Sequence, residues 1–333
     1  MRTLITGASG FVGSAVLRLL IEEGHDVCAL VRPNSNRLNL TGLDVELVEG
    51  DLTETDSLRK ALKNCDNLFH VAADYRLWIP DPKSIYQVNV DGTRNLIRSA
   101  VEAGIKRIVY TSSVATLGLN ADGKPANEET PVTLDMMIGH YKRSKFLAEQ
   151  AAKKLITSID APVVIVNPST PVGPRDIKPT PTGRIFVDML NKRMPAYVDT
   201  GLNIVHVDDV AKGHLLAFKH GIIGERYILG GENMTLNAIL TKIALLSGVQ
   251  APKIRIPQNV LLPIAWLAEC WSRIFGGTPI ATVDELKMSK KYMYFSSEKA
   301  IENLSYTPRP AVEGIADAIN WFKENGYYKD IST

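Results

Sequence analysis

The chain has 333 residues and a formal net charge of +2. That length encloses a substantial core in one large or two unequal domains. The near-neutral balance excludes a nucleic-acid stripe; the densest basic run, Lys287 to Lys291, reads as a solvated face. Cys28, Cys65 and Cys270 are odd in number and lack metal-ligand spacing, so a reduced, cytoplasmic protein without a metal centre is expected.

A short apolar strand, Arg2-Thr3-Leu4-Ile5-Thr6, opens the chain and leaves no room after Met1 for a signal peptide. A helix is predicted from Phe11 to Glu23, strands at Asp26 to Val31 and Val45 to Glu49, then a helix from Thr55 to Lys63. A strand at Asn67 to Val71, a long helix from Ser84 to Ala103 and a strand at Arg107 to Thr111 follow. A helix from Ile138 to Lys154 and a strand at Pro162 to Asn167 complete the series. This alternation predicts an α/β fold with a doubly wound parallel sheet and right-handed crossovers. Residues 1–167 form the expected dinucleotide-binding domain.

After Asn167 the rhythm breaks into a loop punctuated by Pro168, Pro171, Pro174, Pro179 and Pro181; long loops in compact domains usually carry function. Then come a helix near Arg184 to Lys192, a strand near Asn203 to Val207, a helix from Asp209, whose carboxylate reads as its cap, and a strand near Arg226 to Leu229. Helices from Leu236 and Val260 follow. Residues 168–330 read mainly as a smaller mixed α/β substrate-binding region, with 204–219 returning to the first domain. Residues 259–275, NVLLPIAWLAECWSRIF, are too short to span a membrane. The plain reading is an amphipathic helix packed in the smaller region. A substrate lid, a homodimer contact or a peripheral membrane contact are the sharper ones.

Gly7, Gly10 and Gly13 stand in G-x-x-G-x-x-G spacing between the first strand and the first helix. The first permits a tight turn, the second lets backbone approach a pyrophosphate, and the third lets helix and sheet pack closely. Ser9, Phe11 and Val12 complete that cradle at a helix N-terminus. The second strand ends at Arg32, where an acidic residue would accept from a ribose 2′-hydroxyl. Arginine there favours a 2′-phosphate, with Arg37 as a second contact. NADP(H) is therefore expected over NAD(H). Asp51 and Leu52, after the third strand, suit the adenine, and the small Ala72 and Ala73, after the fourth, let backbone pass a ribose. His70 reads as a packed strand residue.

Parallel sheets place ligands beyond the C-terminal ends of their strands. Thr111 and Ser113 end the fifth strand there, with Pro168 and Ser169 ending the sixth. Tyr141 and Lys145 are four residues apart, hence on one helical face. A lysine beside a phenol favours phenolate and lowers a pKa that is ordinarily ~10. Ser113 can bind a substrate oxygen while Tyr141 exchanges a proton with it. Trp78, Ser113 and Thr170 are candidate substrate contacts, and Trp78, Met136 and Met137 suggest apolar walls.

With these motifs placed, the chain resembles an extended short-chain dehydrogenase/reductase over nearly its whole length. The glycine turn, Asp51-Leu52, Ala72-Ala73, Asn89-Val90-Asp91-Gly92-Thr93, Thr111-Ser112-Ser113, Tyr141-x-x-x-Lys145 and Asn167-Pro168 carry the likeness. The resemblance implies Ser113, Tyr141 and Lys145 as catalytic residues, and Asn89 as a supporting residue on a helix. Asn167 to Asp176, with Lys178 to Gly183, looks like the hopanoid-associated sugar epimerase group. The Val31-Arg32-Pro33 ending is shared with dihydroflavonol 4-reductases and 3β-hydroxysteroid dehydrogenases. Nucleotide-sugar epimerases of the family usually have an acidic residue at the place of Arg32 and a tyrosine at that of Leu117. Both departures favour a reductase with exchangeable NADPH acting on an apolar small molecule. A nucleotide-sugar epimerase or dehydratase with tightly held NAD(P) is the alternative, and a non-catalytic NADP sensor the third reading.

Overall fold

Apolar strands alternating with amphipathic helices build a seven-stranded parallel sheet in the computed structural model, which describes residues 1–328. In chain order the first half contains β1 (Arg2–Thr6), α1 (Phe11–Glu22), β2 (Asp26–Val31), β3 (Glu46–Glu49), α2 (Thr55–Leu62) and β4 (Asn67–His70). It continues with α3 (Lys83–Tyr86), α4 (Thr93–Glu102), β5 (Arg107–Thr111), α5 (Gly139–Ile159) and β6 (Val163–Pro168). The second half contains β7 (Thr170–Val172), α6 (Pro181–Leu190), β8 (Ala196–Tyr197), β9 (Gly201–His206), α7 (Val207–His220), β10 (Arg226–Leu229) and β11 (Glu232–Thr235). After these come α8 (Leu236–Ser247), β12 (Ile254–Arg255), α9 (Gln258–Phe275), α10 (Val283–Ser289), β13 (Tyr292–Met293), α11 (Glu298–Leu304) and α12 (Ala311–Glu324).

The main sheet runs β10-β6-β5-β4-β1-β2-β3. Strand order reverses between β1 and β4, which opens the crevice where doubly wound sheets bind ligands. Neighbouring strand residues face opposite layers, as strand geometry dictates. Ile5, Phe69, Val109 and Val164 join one core cluster with Val16 and Leu17 of α1. Leu4, Leu68, Ile108 and Ile165 join the other with Leu96 of α4 and Leu155 of α5. Burial on both faces explains why these strands read as continuous apolar runs.

Five features differ from the sequence expectation, the last of them α9. The long helix near Ser84 to Ala103 is interrupted: a π-helical turn at Gln87–Gly92 separates α3 from α4. Residues 204–219 divide, with β9 pairing β7, β11 and β13 in a small second sheet while α7 packs on α1. β10 also leaves the 168–330 region, pairing in parallel with β6. Residues 329–330 of that region lie outside the described residues. Asp209 does not cap α7. The side chain of His206 accepts from the Asp208 N–H, while buried Asp209 accepts from the backbone N–H and Nε of Arg309 at 2.8 and 2.9 Å.

α9 departs most from its plain reading. Only Ala265 and Ser272 of this helix are buried. Trp271 is 65% exposed and Ile274 75%, beside exposed Val260, Ile264, Trp266, Leu267 and Phe275. Among the described residues no helix is long and apolar enough to cross a membrane.

Candidate active site

The glycine turn is shaped by backbone contact. Gly7 takes φ +76°, and a Cβ there would lie 2.7 Å from the Ala72 nitrogen. A Cβ on Gly13 would lie 2.0 Å from the Gly7 carbonyl oxygen. Both positions therefore exclude any side chain. Gly10 is the N-cap of α1 and provides no capping side chain, and the first turn has no acidic residue. Its unpaired N–H groups and positive end suit a pyrophosphate. Phe11 and Val12 pack their side chains against the core. Asn39 donates to the carbonyls of Ser9 (3.2 Å) and Arg175 (3.1 Å), tying the turn to the proline-rich loop.

At the adenosine end the candidates separate. Arg32 is exposed and makes no ion pair among the described residues, so its guanidinium is available to an incoming phosphate. Arg37, expected as a second phosphate contact, is paired with Glu49 at 2.7 Å. The acidic end of β3 has captured it. Asp51 Oδ1 accepts from Thr53 N (2.8 Å) and Thr53 Oγ1 (2.7 Å), which fixes the turn before α2. Leu52 is buried against Gly92, where a Cβ would meet it at 2.9 Å. The Ala72 N–H donates to Thr6 Oγ1 at 3.2 Å, and Ala73 is exposed beyond it. His70 lies between Thr6 Oγ1 and Thr93 Oγ1, each at 2.9 Å. Burial lowers its pKa to about 3, with Lys145 adding to the shift, so it stays neutral.

The β5 and β6 ends and α5 bring Thr111, Ser113, Tyr141 and Lys145 together. Lys145 is buried and donates to the Thr111 carbonyl at 2.8 Å. Burial lowers its pKa to about 8, partly opposed by Glu149. Burial pushes the Tyr141 hydroxyl up to about 12, with a hydrogen bond to Ser113 pulling the other way. The four-residue spacing alone leads to an expected lowering by Lys145; here burial is the larger influence on the phenol, and Lys145 gives one of its N–H bonds to Thr111. Thr111 Oγ1 bonds His214 Nε2 at 2.8 Å, and Ser113 Oγ accepts from the Ala115 N–H at 3.1 Å. Ser169 Oγ is buried without a hydrogen-bond partner beside Pro168, leaving a hydroxyl free to bond a ligand.

Two residues hold this geometry from behind. Asn89, in the π-helical turn, donates to Ser144 Oγ (2.9 Å) and the Asp74 carbonyl (2.8 Å) and accepts from the Asp74 N–H (2.7 Å). It thus staples the loop after β4 to α5, and π turns often mark such sites. Glu149, 1% exposed, was not singled out from sequence. Its Oε2 accepts from Ser112 (2.6 Å), Thr116 (2.7 Å) and Asn167 (3.0 Å), while Oε1 pairs with Lys153 (3.0 Å) and Arg226 (3.1 Å). Burial opposes ionisation, but Lys153, the two hydroxyls and Arg226 together hold its carboxyl below the ordinary range. Its signal was available, one further i+4 step along the stripe through Tyr141 and Lys145. Tyr75 was also missed; its ring meets that of Tyr141 edge-on at 5.3 Å.

A cleft open to solvent is lined by Val114 and Lys142, the sequence neighbours of Ser113 and Tyr141. Val114, Leu117, Met136, Met137, Met293 and Phe295 wall it. Trp78 does not line this cleft; its ring lies 5.6 Å from the Arg273 guanidinium of α9. Thr170 is half-buried in β7, paired with Ile204.

A family model described as the NAD dependent epimerase/dehydratase family matches residues 3–230. A putative dihydroflavonol 4-reductase of Synechocystis is 45% identical, covering 98% of this chain and 95% of that one. Sterol demethylase protein B of Methylococcus capsulatus is 35% identical, covering 98% and 99%. The crystal structure of gox2253 superposes with a TM-score of 0.89 at 55% identity, covering 98% and 99%. Together with the glycine cradle at the sheet's switch point, these matches show that the chain belongs to the NAD-dependent epimerase/dehydratase family and is an NAD(P)-dependent oxidoreductase of the extended short-chain type.

Proposed function

We propose that the protein reduces a carbonyl group on a mainly apolar small molecule and prefers NADP(H). The observation that carries this reading is the cleft of apolar side chains that adjoins Ser113 and Tyr141 through their neighbours Val114 and Lys142. Relatives named as reductases, among them a putative dihydroflavonol 4-reductase and a 2-alkyl-3-oxoalkanoate reductase, support the reduction of a carbonyl. The N–H groups of α1 and the bare faces of Gly7, Gly10 and Gly13 would hold the pyrophosphate, with Arg32 on the 2′-phosphate. The bound nicotinamide supplies the hydride.

The chain's own residues handle the oxygen and the proton. Ser113 Oγ orients the carbonyl oxygen by a hydrogen bond. Tyr141, with its pKa pushed up to about 12, remains protonated at neutral pH and donates to that oxygen. Lys145, positioned by Thr111, binds the cofactor's ribose and supplies positive charge near the phenol. Side chains from Leu117 to Phe295 offer an apolar wall to the body of the substrate.

Calorimetric titration of NADPH and NADH tests the cofactor preference. A charge-assisted pair with Arg32 contributes ~1.5–3 kcal/mol, roughly tenfold to a hundredfold in affinity. Arg32→Asp should reverse the order. Equal affinities in the parent protein would overturn the NADP(H) assignment. The family model favours a second reading, an epimerase or dehydratase that recycles its nucleotide. It predicts retained, non-exchanging NAD(H) and no net NADPH consumption with any apolar ketone.

A further inference from the structure

The side chains lining the cleft next to α5 are apolar except for those of Lys142 and Lys291. Lys142 follows Tyr141 on α5 and is turned by the ~100° step of a helix away from it, into the cleft. Lys291 reaches the same space from the turn after α10. Neither is ion-paired among the described residues, and Lys142 Nζ bonds only the thioether of Met293, at 3.8 Å. A thioether sulfur is a weak acceptor, so the demand of this ammonium is nearly unmet. Burial lowers the Lys142 pKa to about 8, and the charge of Lys291 adds to the shift. Lys142, held against a methionine sulfur with a second ammonium across the same space, lacks an anionic partner that a ligand entering the cleft could supply.

We propose that the apolar substrate carries an anionic group, a carboxylate or a phosphate, which Lys142 and Lys291 bind inside this cleft. This rests on the reductase reading of the same site and narrows its substrate class. The walls take the apolar body and the two ammonium groups take the charged end, setting which part of the molecule lies against Ser113 and Tyr141. Lys142 and Lys291 are thereby specificity-determining residues, distinct from the residues that handle the proton.

The test uses decanoate, decyl phosphate and 1-decanol as probes, titrated calorimetrically into the full chain saturated with NADPH. At least one anion should bind about tenfold or more tightly than the alcohol, as a charge-assisted contact gives. Decanoate against decyl phosphate then identifies the anion. Lys142→Met and Lys291→Met, which keep the bulk and remove the charge, should each reduce that preference. Lys291 is exposed, so its variant folds whether or not Lys142→Met does. Equal affinity for all three probes in the parent protein overturns the proposal, as does an anion preference that persists unchanged in Lys291→Met. Because probe binding is read without turnover, such a failure is separable from failure to consume NADPH with a ketone.

Discussion

Replacing Glu149 by glutamine keeps the shape of the buried network and removes its charge. In one amide orientation the oxygen keeps the donors Ser112, Thr116 and Asn167, and the NH₂ is driven against Lys153 and Arg226. In the other the oxygen faces the two cations, and Asn167 loses its acceptor. Either way two ion pairs are lost. Breaking a buried pair costs about 3–5 kcal/mol when the partner is stranded. Arg226 keeps the Glu128 carbonyl and Lys153 is one-third exposed, so the lower end, ~3 kcal/mol, is expected. With an unfolding entropy of ~2.1 cal/mol/K per residue over 333 residues, that corresponds to a fall of about 4 °C in Tm. The sign with pH is fixed. Glu149 titrates below its ordinary value in the folded state, so its contribution is full above the ordinary carboxyl pKa and is lost as pH falls through the folded one. Scanning calorimetry at pH 7 should show the full gap between parent and variant, and the gap should close on acidification below pH ~4.5. A change under about 1 °C at pH 7, or a gap that widens in acid, would refute the assignment of Glu149 as the anchor.

Tyr141→Phe should lower turnover by about 10²–10⁴ and leave NADPH affinity nearly intact; retained turnover in a stopped-flow assay would remove the phenol from proton transfer. Reduction should weaken as pH rises through about 8, where Lys145 loses its proton. Lys145→Arg should move that limb upward, whereas a limb that disappears only in Lys142→Met would assign it to the other lysine of similar pKa. Gly13→Ala forces a Cβ to within 2.0 Å of the Gly7 oxygen, a collision with backbone that cannot rotate away. Overpacking of this kind costs about 1–3 kcal/mol. Weakened NADPH binding, read by fluorescence titration, is the expected result, and unchanged affinity and Tm would contradict the close approach.

The main sheet was legible because its information is local. A run such as Val163 to Val166 is buried on both faces and stays apolar throughout, whatever its neighbours are. The second sheet was not. Its strand β13, like β8 and β12, which pair with each other in a separate two-stranded sheet, has two residues and exists only through a partner remote in sequence, as when Tyr292–Met293 pairs with Gly201–Leu202. Two residues carry no periodicity to read. β10 was seen as a strand, but nothing local says which of two sheets it joins. The packed reading of α9 failed for a related reason. Amphipathic spacing shows that a helix has an apolar face and leaves open what covers it.

The candidate site divides in the same way. Tyr141 and Lys145 share a helical face by spacing alone, and the turn glycines are demanded by backbone contacts within one strand-turn-helix. What spacing could not supply is competition for each charge. Arg37 looked free beside Arg32 until Glu49 arrived from the next strand. Lys145 looked committed to Tyr141 until the Thr111 carbonyl took its ammonium. Burial adds to this. It raises the pKa of the Tyr141 phenol, which therefore carries its proton at neutral pH, the form that can donate to a carbonyl oxygen. An ammonium has three protons, so Lys145 can keep the Thr111 carbonyl and still place its charge near that phenol.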